Sequence, residues 1–93
     1  MDRRIYKYEF EIGDFVEIDF PKTSTILKIE CQGNQPCLWA MVDVGEISDP
    51  SRLMGDKQKF RIFGTGHPIP VNFDGKHIAT FQQDPFVWHM FTE

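Results

Sequence analysis

Three histidines, His67, His77 and His89, and two cysteines, Cys31 and Cys37, are the side chains of this chain best suited to proton transfer or nucleophilic attack. A nucleophilic site needs a Cys or Ser beside a His, with an acid to orient the ring. Cys37, His89 and Asp43 make such a set on paper, but Cys37 stands among Leu38, Trp39, Met41 and Val42, where a thiol behaves as a small core hydrophobe. The carboxylate pairs Glu9/Glu11 and Glu17/Asp19 each fall on one side of an alternating run, the pattern of a solvated strand face. The two Cys and three His follow no C-x-x-C or H-x-x-x-H spacing, and the Cys pair supplies too few ligands for structural zinc. No catalytic residue, metal or cofactor is assigned. In a reducing compartment both thiols stay free, with at least one in the core.

The most unusual stretch runs from Phe63 to Pro70. There Gly64 and Gly66 could turn backbone N–H groups toward an anion, and Thr65 and His67 could add polar contacts. It matches no phosphate loop, because the third Gly of a dinucleotide fingerprint and a Gly-Lys-Ser/Thr ending are both missing. Two Gly and two Pro also suit a plain bend at a strand end. With nine Phe, two Trp and two Tyr, the chain holds more aromatic area than one small core needs. Some of these rings are therefore expected in a groove or subunit interface. Gly64, Thr65, Gly66 and His67, with Trp39 or Trp88 nearby, form the candidate ligand or partner site, and a homo-oligomer is expected to cover exposed strand edges.

The elements that must position these residues read in period two. Tyr6, Tyr8, Phe10 and Ile12 share one face of a first strand, and Val16, Ile18 and Phe20 face inward from a second, close enough to pair with the first as a hairpin. From Thr25 to Cys31 the favoured phase turns Leu27, Ile29 and Cys31 inward. After a turn at Gln32 to Gln35, residues 36–44 are apolar on both faces, which predicts a central strand. Residues 45–57 read as the longest loop, the expected mobile element. Phe60 and Ile62 share a face of the next strand, with Phe63 opposite. A turn at Asn72 to Gly75 leads to a strand from Lys76 to Gln82, with Ile78 and Thr80 on one side and His77, Ala79 and Phe81 on the other. A turn at Gln83 to Pro85 precedes a last strand, Phe86 to Phe91, apolar on both faces and expected inside the sheet system. Seven short, mostly antiparallel strands in 93 residues predict a single all-β domain, a small sandwich or curled barrel.

Charge excludes more than it assigns. Ten basic and fourteen acidic residues give a net charge of −4, which argues against gripping a phosphate backbone. Only Lys59 to Phe63 interleaves basic and aromatic residues as an RNA-binding strand would. No apolar run is long enough to span a membrane, and the start carries no signal core, so the chain is expected to be soluble and intracellular.

Ile5-Tyr6-Lys7-Tyr8, the run from Gln35 to Asp43, Phe60 to His67 with Pro68, and Val87-Trp88-His89-Met90-Phe91 together resemble a family of small uncharacterised proteins encoded by tailed bacteriophages and prophages. The resemblance spans nearly the whole chain and carries over no residue role. It implies an accessory or host-interaction protein in the cytoplasm of a bacterial host, and raises the hypothesis that the chain inhibits a host factor, including by sequestering a host signalling nucleotide. The leading expectation is a non-enzymatic module that binds a host protein or a small anionic ligand. The rivals are a structural or assembly accessory and a small hydrolase or isomerase using His67 or His89.

Overall fold

The computed structural model describes residues 2–43 and 56–93. Strands β1 (Arg3–Glu9), β2 (Phe15–Asp19), β3 (Thr25–Gln32), β4 (Gln35–Asp43), β5 (Lys57–Gly64), β6 (His77–Gln83) and β7 (Phe86–Thr92) form two sheets, ordered β1-β4-β3 and β2-β5-β7-β6. Among the described residues every strand pairing is antiparallel. The inner faces of the two sheets pack as a sandwich. Leu38 and Ala40 of the first sheet and Met90 of the second have no exposed area, and Phe10, Phe20, Phe60 and Phe81 fill the space between. Phe20 stacks on Phe60 at 6.3 Å, and Phe10 meets Phe81 edge-on at 6.1 Å.

Alternation places most side chains as expected, and the doubly apolar strands β4 and β7 are each central in their sheet. The expected β1–β2 hairpin does not form: β1 pairs with β4, and β2 crosses to the other sheet to pair with β5. A hairpin would leave both apolar faces in one layer. The crossing through residues 10–14 instead sets Tyr8 5.6 Å from Phe20 across the core. The strand expected to continue to Ile12 stops at Glu9.

Two bulges correct the phase of two strands. In β3 the register shifts between Ile26 and Lys28, so Ile26 opposite Ala40 and Ile29 opposite Leu38 both face the core. Leu27, expected inward, is the extra residue and stays 47% exposed. In β6 the register shifts between His77 and Ala79, so His77 joins Thr80 on the outer face, while Ala79 and Phe81 point inward. The β3–β4 turn is the expected one, and Gly33 at its first central position has φ +64°, as a type II′ hairpin requires.

Strands β5 and β6 flank β7 and run in the same direction, so residues 65–76 must cross the sheet between them. They pass over its outer face. The turn expected at Asn72 to Gly75 lies earlier, closed by the Phe73 N–H on the Pro70 carbonyl at 3.0 Å. Phe73 then covers Phe63 and Phe91, at 5.4 and 5.6 Å between ring centres. The crossing is pinned to the end of β7 where the Thr92 N–H reaches the Lys76 carbonyl and the Lys76 N–H reaches Thr92 Oγ1, both at 2.9 Å. Of the loop expected over residues 45–57, residues 45–55 lie outside the described residues, and Lys57 opens β5.

Candidate functional site

The end of β5 is shaped by two glycines with different duties. The Thr65 N–H donates to the Val87 carbonyl at 3.2 Å, which keeps the chain alongside β7, and the His67 N–H closes a turn on the Gly64 carbonyl at 3.0 Å. Gly66, third in that turn, has φ +84°, the left-handed region that a type II turn demands at this position. Gly64 has no such angle. Its role is space: a Cβ there would stand 2.8 Å from His67 Cε1 and Nδ1 and 3.1 Å from Trp88 Cζ3.

Without that Cβ the His67 ring folds back over the strand and meets Trp88 edge-on at 6.4 Å. Trp88 is half-buried and stacks at 5.4 Å on Phe86, which is 55% exposed. Its indole N–H donates to Gln83 Oε1 at 3.1 Å, which fixes the ring's tilt. The result is a row of rings, Phe86, Trp88 and His67, beside an exposed turn. Among the described residues the Gly66 N–H has no hydrogen-bond partner, so it is open to an acceptor.

Gly64, Thr65, Gly66, His67 and Trp88 are thus brought together, and Phe86 joins them. Trp39 is not. It sits on the outer face of the other sheet, opposite Lys7 on β1 and Lys28 on β3, because residues 38, 40 and 42 take the inward positions of β4. Cys37 shares that outer side in register with Glu9 and Glu30, whereas Cys31 pairs with Pro36 on the core side. The two free thiols therefore occupy opposite faces of one sheet, and the set Cys37, His89 and Asp43 does not assemble. Burial, followed by the neighbouring Cys37, Glu30 and Asp84, raises the Cys31 thiol above its usual range. Burial and then Tyr6 raise the Tyr8 hydroxyl.

Sequence reading missed a polar chain on the outer face of the four-stranded sheet. Thr65 Oγ1 lies 2.8 Å from His89 Nε2, His89 Nδ1 lies 3.0 Å from Thr80 Oγ1, and Thr80 Oγ1 lies 2.9 Å from His77 Nε2. Thr80 has one hydroxyl hydrogen, so it can donate to only one of the two rings and accepts an N–H from the other, which couples the tautomers of His77 and His89. Strict alternation hides this group, since it is the bulge at Ile78 that carries His77 to the Thr80 side. Beside it the Arg61 guanidinium lies 4.2 Å from the Phe15 ring centre, and Arg61 Nε donates to the Asp14 carbonyl at 3.0 Å.

At the opposite end of β5, Lys22, Lys57 and Lys59 border a groove of about 490 Å³, with Glu93 also at its wall. Among the described residues no group of three or more His, Cys, Asp or Glu is placed to hold a metal ion, and no helix is long and apolar enough to cross a membrane.

Over residues 1–93 the chain matches the family model described as Domain of unknown function (DUF7352), and it belongs to that family. No curated protein and no solved structure matches it.

Proposed function

We propose that this member of the family is a non-enzymatic binding module whose site is the Gly64 to His67 turn together with the aromatic row of Trp88 and Phe86. One observation carries the reading: Gly64 leaves room for His67 to lie against Trp88, which presents stacked rings next to an open backbone N–H and an imidazole. Rings take a planar group by stacking, and the turn takes a negative one. A small anionic ligand with a flat moiety, of nucleotide size, fits that pairing. A structural accessory would bury these groups, whereas His67 and Phe86 are exposed beside a half-buried Trp88. The likeness to phage-encoded domains supports a ligand or partner supplied by a bacterial host, met in its cytoplasm.

The test is a ¹H–¹⁵N NMR titration with adenosine monophosphate, and with inorganic phosphate as the control for the anion alone. Shifts gathered at the Gly66 and His67 amides and the Trp88 indole N–H support the reading. Shifts confined to Lys22, Lys57 and Lys59 would move the anion site to the lysine groove, and no shift at millimolar ligand would sink it.

A second reading, a hydrolase using His89, is favoured by the 2.8 Å contact between its Nε2 and Thr65 Oγ1. It ranks second because His89 Nδ1 meets a hydroxyl rather than a carboxylate, so an imidazolium formed there has no paired charge. Turnover of p-nitrophenyl acetate, lost in Thr65→Val and retained in Thr65→Ser, supports it, and equal rates for the parent and Thr65→Val dismiss it.

A further inference from the structure

The crossing segment exposes an unusual run. Pro68, Ile69, Pro70 and Val71 are all exposed, with Ile69 at 44% and Val71 at 106% of its reference area. The run is held at both ends, by the turn closing at His67 and by the turn from Pro70 to Phe73. Two prolines fix its backbone further, so little chain entropy remains to be lost when it docks. Among the described residues nothing covers Val71, and Pro68, Ile69 and Pro70 are left exposed beside it.

The same chain carries a surface that suits such an arm. Proline-rich extended segments seat on exposed aromatic rings, and Phe86 with Trp88 forms such a platform at the same end of the fold, where His67 links the arm to Trp88. Among the described residues the arm and the Phe86 side of the platform are both left open in one copy. A two-fold exchange, in which each copy's arm lies on the other's platform, covers both at once and closes without further growth.

We infer that in the ligand-free protein the Trp88 platform is covered by the Pro68 to Val71 arm of a second copy of this chain, docked reciprocally in a symmetric dimer. This rests on the reading of Phe86 and Trp88 as a binding surface and names its partner. A whole aromatic side chain covers roughly 150–250 Å², and with Phe86 55%, Ile69 44% and Val71 106% exposed and Trp88 half-buried these six residues offer at most on the order of 500–600 Å² per protomer. The pair then buries at most about 1,000–1,200 Å², the lower bound for a specific interface. A weak, reversible dimer follows, because an interface of this size leaves little surplus over the cost of association. Each chain has a net charge of −4, so self-repulsion opposes the dimer and added salt tightens it.

Sedimentation equilibrium of the parent, Val71→Asp and Phe86→Ser tests this, with far-UV circular dichroism to confirm that each variant folds. Burying one Val-sized group is worth roughly tenfold, and each substitution occurs twice in a symmetric dimer, so each variant's Kd is expected to rise about 100-fold. Mixing the two variants is the decisive arm. The mixed dimer has one intact dock and one dock carrying both changes, which are coupled because they remove the same contact. It is expected to bind about tenfold tighter than either variant alone. A parent that stays monomeric at millimolar concentration, a Val71→Asp variant with the parent's Kd, or a mixture no tighter than its components each overturns the inference. Titrating the Val71→Asp monomer with adenosine monophosphate separates the two ideas, because its platform is unchanged and the ligand shifts at Trp88 then stand or fall independently of the dimer.

Discussion

Gly75→Ala is expected to loosen the crossing segment that shapes the outer face of the four-stranded sheet. A Cβ at Gly75 would stand 2.0 Å from the Thr92 carbonyl oxygen and 2.3 Å from Phe73 Cζ. The first of these is backbone and cannot swing aside. Contact at ordinary van der Waals distance requires the segment and the end of β7 to part by more than 1 Å, roughly, at the point where Lys76 and Thr92 exchange two hydrogen bonds of 2.9 Å. Overpacking of this kind costs about 1–3 kcal/mol. Displacing Phe73 also weakens its edge contacts with Phe63 and Phe91, each worth about 0.5–1.5 kcal/mol. A loss of about 3 kcal/mol follows, or a fall in Tm of about 12–24 °C for a domain of this size. With an m-value of about 1.5 kcal/mol/M, the urea midpoint followed by Trp fluorescence should drop by about 2 M. Phe73→Ala supplies the control: the same Gly75→Ala change in that background should cost less, because one of its two clashes has been removed. A midpoint within about 0.3 M of the parent would refute the argument, since it would mean that the segment has slack the structure does not show.

Three further changes probe other parts of the fold. Ile26→Ser should cost about 2 kcal/mol or more, and Leu27→Ser less than about 0.5 kcal/mol. The reverse order in urea unfolding would restore strict alternation in β3 and remove its bulge. Cys31 and Tyr8 both have raised values in the folded chain, so their contribution to stability is complete below the unfolded-state values and is lost as pH rises through the folded ones. Thermal melts should therefore be flat with respect to these groups at neutral pH and decline above about pH 9, a decline that Cys31→Ala should lessen. Met90→Ala, at a position with no exposed area in the central strand β7, should cost about 2–4 kcal/mol, and a cost under 1 kcal/mol, roughly, would show that the core collapses around the lost side chain.

The domain's class and most of its core were legible in the chain alone. Side chains alternate with period two in any strand, so Val16, Ile18, Phe60 and Ile62 had to share faces whatever their partners were. Strands apolar on both sides, such as residues 36–44 and 86–91, had to lie inside a sheet. The Gly64 to His67 turn was equally visible, since Gly66 in a tight turn satisfies a backbone requirement of its own.

Tertiary structure decided everything that depends on which strands meet. The partner of β1 is β4 rather than β2, because pairing is settled by covering both apolar layers at once, a condition no local segment encodes. The bulges in β3 and β6 are set by pairing with β4 and β7, and each shifts the residues before it, Ile26 and Leu27 or His77, out of the phase that local pattern assigns. For that reason the meeting of His77, Thr80, His89 and Thr65 and the separation of Trp39 from the Gly64 turn were both hidden from the sequence. Period fixes the face of a side chain, and only the assembled sheets fix its neighbours.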